Sequence, residues 1–161
     1  MFETETTLNR FLMSGLDSVV ADVPAERMYE KSPSNGHPPV WVLGHLAICA
    51  ELGQQLLGGS VTHVRWLPLF GPGSSDDVQP HPDHSMDEFL TVIRESYPRL
   101  CEMARSADSE RLNQPHGVQL LEGSGVETVH EIVAHLLTSH FGFHLAQLSG
   151  WRRAAGHGPL F

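Results

Sequence analysis

Four stretches of the chain repeat apolar residues at the three- and four-residue spacing of a helix with one buried face. The first runs from about Thr6 to Val23 and carries Leu8, Phe11, Leu12, Leu16, Val19, Val20 and Val23 on its apolar side. Pro24 ends it or opens a short turn through Arg27. The second starts at Pro39 or Val40, proline being favoured at a helix start, and runs to about Leu57, where Gly58 and Gly59 stop it. Its stripe is Val42, Leu46, Cys49, Leu52 and Leu56. The third opens at Ser85, with Glu88 three residues on as a capping box, and buries Phe89, Leu90, Ile93, Tyr97, Leu100, Met103 and Ala104. Pro98 inside it predicts a kink or a loosened turn. The fourth spans Val126 to Arg153, with Thr128 and Glu131 as a second capping box. Its stripe is Val129, Ile132, Val133, Leu136, Leu137, Phe143, Leu148 and Trp151.

The links are unequal. The run KSPSNGHPP, residues 31–39, reads as a loop of turn formers. Residues 60–85 are long and irregular; their apolar part, Trp66 to Phe70, suits a lid over a cavity or, more commonly, plain packing. Residues 106–125 hold a short run, Gly117 to Leu121, that could be strand-like. The tail HGPLF lies on the surface or docks by Leu160 and Phe161. Four long amphipathic helices with little strand predict an all-α four-helix bundle, a single domain over residues 1–161, with long loops after the second and third helices.

Composition narrows the function. With 40% hydrophobic and 18% charged residues, the chain can bury a core without disulfides. Its net charge of −9 argues against nucleic acid, whose phosphates need clustered Lys and Arg. Cys49 and Cys101 both fall on apolar stripes and read as buried free thiols. The opening MFETETTLNR is no signal peptide, and no apolar stretch suits a membrane span. A soluble, cytoplasmic protein is expected.

The chemistry sits in the histidines. There are eleven. His37, His63, His81, His84, His116 and His157 lie near Pro or Gly in the links. Three others interrupt apolar stripes: His45 on the second helix, and His140 and His144 four residues apart on the fourth. Residues at i and i+4 share a helix face, about 5–6 Å apart. Such a pair can chelate one ion, and a third imidazole from a neighbouring helix completes a facial set with open positions for water or substrate. A lone inward histidine is more often a hydrogen-bonded core residue than a ligand. Three together are costly in a core unless something satisfies them. His130 and His135 are weaker candidates: the first lies along the helix, and the second is turned about 140° from His140 in a regular α-helix.

The segment WVLGHLA around His45 and the segment HLLTSHFGFHLAQLSGWRRAAG at the end resemble the DinB-like family, also called the YfiT-like metal-dependent hydrolases. The resemblance covers essentially the whole chain. It implies a divalent metal at one end of the bundle, held by His45, His140 and His144, with Gln147 as a supporting residue and Gly142 as the small residue between the two helix 4 histidines. It also implies a homodimer, and reactions of two kinds: hydrolysis of a small molecule with metal-activated water, or transfer with a metal-activated low-molecular-weight thiol as cosubstrate. Three neutral imidazoles suit Zn²⁺, Ni²⁺ or Fe²⁺ alike. Glu51, Glu122 and Glu127 are not placed to act as a base, so no catalytic residue beyond the ligands is assigned. The alternative is a non-catalytic, metal-stabilised dimeric bundle acting in stress response or metal sensing.

Overall fold

The computed structural model describes residues 1–32 and 36–160. Its long helices are α1 (Glu3–Val20), α2 (Pro39–Leu56), α4 (Met86–Ser106) and a continuous fourth helix. That fourth helix comprises α6 (Val129–His135), a π-helical turn (Leu136–His140) and α7 (Phe141–Ala154). Two single-turn helices, α3 (Leu67–Phe70) and α5 (Ser109–Leu112), lie in the long links. The chain is an all-helical four-helix bundle. No helix among the described residues is long and apolar enough to cross a membrane.

α2 is the central element. It packs against α4, α7 and α3, while α1 packs against α7 and α4. Every residue from Pro39 to Glu51 is buried. A helix that is apolar all round is surrounded by neighbours, so the single stripe expected for it was too narrow. Gly53 lets α4 approach: a Cβ there would lie 2.9 Å from a Leu100 methyl. Gln54 donates to the Ser96 carbonyl at 2.9 Å, which ties α2 to α4 just before Pro98. α4 runs on through Pro98.

Both expected N-cap residues begin helices, and one of the two expected capping boxes is complete. Ser85 accepts from the Glu88 amide. Thr128 and Glu131 form the reciprocal box, so the fourth helix starts at Val129 rather than Val126. The far end of the bundle is held by Arg152, which is buried and donates from Nε to Asp22 at 2.9 Å and from Nη1 to the Gly158 carbonyl at 2.6 Å.

Three further expectations change. α1 spans Glu3–Val20, and Leu8 and Phe11 are exposed (46% and 71%), not part of its buried face. Thr6 and Asn9 take the inward positions. Residues 117–121 form no strand: Gln119–Leu121 is a 3₁₀ turn, and the one bridge among the described residues pairs Pro115 with Thr128. Phe143 is 61% exposed, and its expected place on the stripe is taken by Phe141, which is fully buried. The loop at 31–39 is described except for residues 33–35, and Leu160 packs against the core; Phe161 lies outside the described residues.

The π turn explains the last change. It puts one extra residue into a helical turn, so everything beyond lags by about 100°. It also disturbs the regular carbonyl ladder. Asn9, buried on α1, donates to the Leu137 carbonyl at 2.9 Å. Thr138 donates to the Ala134 carbonyl at 2.6 Å. The inward asparagine of α1 thus serves the backbone of the fourth helix, a reason for that face of α1 to be polar.

Candidate metal centre

α2 and the fourth helix cross where His45 meets His140 and His144. The Nε2 atoms of His45 and His140 are 3.2 Å apart. The His144 ring packs edge-on against both, with centroids 4.7 Å from His45 and 4.6 Å from His140. The rings of all three anticipated histidines meet, but the compact set of donor atoms among the described residues is His45, His140 and Cys49, and His144 is outside it.

Each ring has its outer nitrogen addressed differently. His45 Nδ1 lies 2.6 Å from the Phe70 carbonyl. A carbonyl only accepts, so Nδ1 carries the proton and Nε2 presents a lone pair. His144 Nδ1 lies 2.7 Å from Gln147 Oε1, which leaves its Nε2 unprotonated in the same way. His140 Nδ1 is buried with no partner. Ligating histidines commonly give their second N–H to a carbonyl or amide oxygen in this manner.

The Phe70 carbonyl is placed by the segment after α2. Gly44 makes room for it, since a Cβ there would sit 2.5 Å from the Phe70 ring. Phe70 is wholly buried between Trp66 and Phe89. Trp41 stacks on His45 at 4.5 Å and 10°, and its Nε1 donates to Ser74 Oγ at 3.0 Å. Residues 66–74 therefore pack on the core and orient His45 and Trp41 through main-chain and hydroxyl groups. Glu51, inward on α2, accepts from the Thr62 and His63 amides at 2.9 Å and anchors the start of the same segment.

Two further residues belong to the site. Cys49, four residues after His45 and so on the same face of α2, places Sγ 3.5 Å from His45 Nε2. It is a free, buried thiol, as is Cys101. The i, i+4 spacing that pairs His140 with His144 also pairs His45 with Cys49, and that signal was present in the sequence. His135 is the second. The π turn brings its ring within 5.5 Å of His140, where a regular helix would have turned it away. Its Nδ1 pairs with Ser139 Oγ at 2.7 Å.

The donor atoms of His45, Cys49 and His140 lie within 4.8 Å of one another, a group that could hold a metal ion. The spacing fits a shared ion. Two nitrogens each about 2.1 Å from one ion subtend about 100° at a separation of 3.2 Å. With a Zn–S bond of about 2.3 Å, a sulfur 3.5 Å from Nε2 subtends a near-tetrahedral angle.

Burial keeps these rings neutral. It drives the His140 pKa down to about 2 and the His144 pKa to about 4, with the neighbouring imidazoles adding repulsion between charged forms. His45 is lowered as well, chiefly by burial, against the pull of the Phe70 carbonyl. Neutral imidazole is the form that binds a metal. The Cys49 thiol is pushed up to about 12 by burial.

A cavity of about 510 Å³ opens onto the cluster. It lies between α2, the fourth helix and the 3₁₀ turn at Gln119–Leu121, and His45, Cys49, His135, His140 and His144 all reach its wall. Glu122 and Glu127 do not line it.

A family model described as the DinB superfamily matches residues 12–148. No curated protein matches the chain.

Proposed function

The chain belongs to the DinB superfamily, and from that premise we propose that it is a small metal-dependent enzyme with His45, His140 and His144 as ligands. The observation that carries this reading is the cavity of about 510 Å³ opening onto the imidazoles, within the size range of small-molecule sites. A divalent ion held there would supply Lewis acidity toward the polar group of a small-molecule substrate, for hydrolysis or for transfer to a thiol.

The protein's own groups divide the remaining work. The Phe70 carbonyl and Gln147 Oε1 fix the tautomers of His45 and His144, so that both present Nε2. Trp41, stacked over His45, keeps water from that side. No carboxylate among the described residues lines the cavity. His116 does, but its two nitrogens are taken by the Val126 carbonyl and the Val118 amide. That leaves His135, with Nδ1 on Ser139 Oγ and Nε2 for a group in the cavity, as the imidazole that accepts and returns a proton.

The test is elemental analysis of native protein and of His45→Ala, both purified without added metal or a histidine tag. Near one equivalent of a transition metal in the native protein, lost in the variant, supports the site. No metal in either after reloading with Zn²⁺ or Ni²⁺ overturns it. A second reading follows from Cys49: its 3.5 Å approach to His45 Nε2 suits a fourth donor, and a site closed by three imidazoles and a thiolate would be structural. The spectrum of cobalt-loaded protein separates the two. A sulfur-to-cobalt charge-transfer band that Cys49→Ser removes favours the closed site, and its absence favours the open one.

A further inference from the structure

The walls of the cavity say what kind of molecule it takes. Leu52, Leu56, Leu121, Ile132 and Leu136 form its aliphatic sides, with Trp41 beside the imidazoles. Leu120 and Phe143 also line it, yet they are 71% and 61% exposed, which places them at the mouth. Not one Lys, Arg, Asp or Glu is among the lining residues that the structure describes. Polar side chains stand at the histidine end, and outside it only Gln55 and His116 reach the wall, the latter with both nitrogens taken by the Val126 carbonyl and the Val118 amide.

From this wall we infer that the substrate is a small molecule with one polar, metal-binding group and an otherwise uncharged, largely apolar body, which enters polar end first toward His45, His140 and His144. The inference rests on the reading of this cavity as the substrate site. Moving an ionised carboxylate or ammonium onto the aliphatic walls costs several kcal/mol without a counter-charge, and no charged side chain supplies one there; a divalent ion at the histidine end would offset a single anionic group at that end alone. Apolar surface gains about 25 cal/mol per Å² on leaving water for the same walls. Of the two reaction classes, the one that needs a highly charged thiol cosubstrate is disfavoured: a peptide-like thiol with its sulfur at the histidine end would set its free carboxylates against walls that hold no Lys or Arg. The net charge of −9 repels such an anion further.

The test compares three ligands of one chain length, octanol, octanoate and octylammonium, on metal-free full-length protein. Affinities are measured by calorimetry, and the site is located by backbone amide shifts in ¹⁵N spectra. Octanol is expected to bind with shifts concentrated at 132–144 and around Cys49, and the two ions roughly tenfold or more weaker. A second arm uses Leu120→Lys, a change at the exposed mouth that leaves the core alone; with the polar end at the histidines it should leave octanoate affinity within about twofold, and a several-fold gain would mean that the polar end stays at the mouth and would overturn the inference. Equal binding of an ion and the alcohol, shifts elsewhere on the molecule, or no binding of octanol overturns the inference. The measurement needs no metal, so it fails separately from the ligand assignment. A protein that takes octanol in this cavity but binds no metal on reloading would retain an apolar pocket and lose the metalloenzyme reading.

Discussion

Gly44→Ala tests how His45 is held. The added Cβ would lie 2.5 Å from Phe70 Cγ and Cδ1 and 2.8 Å from Cδ2. Carbon atoms in contact normally sit about 3.5–4.0 Å apart, so the ring or the helix must move by about 1 Å. The ring has little room, being wholly buried and packed edge-on to Phe89 at 5.2 Å. The backbone of Phe70 therefore shifts, and its carbonyl, 2.6 Å from His45 Nδ1, is drawn off the imidazole. Overpacking of this kind costs about 1–3 kcal/mol, offset by about 1 kcal/mol from replacing a helical glycine. Net stability falls by up to about 2 kcal/mol. Loss of the orienting carbonyl lowers zinc affinity by about 10–100-fold. Gly53→Ala is the control. Its Cβ would meet Leu100 methyls at 2.9 and 3.0 Å on α4 and a Leu136 methyl at 3.1 Å on the fourth helix, and touches nothing that holds His45. It should cost similar stability and leave zinc affinity within about threefold. Urea unfolding gives the first quantity, and competition with a chromophoric chelator gives the second. A folded Gly44→Ala protein with native zinc affinity would refute the claim that the Phe70 carbonyl orients the ligand.

Asn9→Ala should lower stability by about 1–3 kcal/mol, because the buried Leu137 carbonyl in the π turn loses its donor; urea unfolding measures it, and a change under about 0.5 kcal/mol would mean that another group serves that carbonyl. The metal-free protein should lose stability in acid. With folded pKa values of about 4 and 2 against 6.5 unfolded, His144 and His140 are neutral in the fold while the unfolded chain takes up protons, so stability present above pH 6.5 falls by up to about 1.4 kcal/mol per unit per histidine as pH drops toward 4. Thermal unfolding between pH 7.5 and 4.5 measures this, and a flat profile would contradict the burial of the rings. Zinc affinity should fall over the same range, since protons compete for the same nitrogens. His135→Asn should leave zinc content near native and reduce turnover of any substrate found by about 10²-fold; equal loss of zinc would make His135 a ligand instead.

The legible and illegible parts of this protein differ in physical kind. Helices α2 and α4 and the start of the fourth helix follow from local signals, namely Pro39, the Ser85 N-cap, and the Thr128–Glu131 box, which act on backbone within one turn. The three histidines follow from period alone, because i, i+4 on one helix and a single inward imidazole on another need only that the helices meet. Cys49 obeyed the same rule beside His45, and it was read as an ordinary buried thiol because a thiol on an apolar stripe has a commoner explanation. The Phe70 carbonyl could not be read at all. It is a main-chain atom, present at every residue, and only Gly44 marks where a backbone comes close.

The π turn was the costliest omission, and it shows why the pattern misled where it did. Hydrophobic periodicity assumes a constant rotation per residue, so one inserted residue shifts a count carried across it, although Leu148 and Trp151 beyond the turn are buried as expected. Phe143 was placed on the stripe by counting from Leu136 across the turn; after the lag it stands at the mouth of the cavity, and Phe141 holds the core position. His135 was dismissed by the same count, and the same lag carries it to the cavity wall. The trace of the turn lies elsewhere in the chain. Asn9 occupies an inward position on α1 where an apolar residue would pack without needing a partner, and its amide reaches the Leu137 carbonyl. A buried amide side chain that faces a neighbouring helix asks for a backbone group that the neighbour's own ladder does not serve. Read that way, the polar break in the face of α1 and the dense histidines of the fourth helix describe one feature: a helix opened by one residue so that a fourth imidazole, His135, can join the three at the end of the cavity.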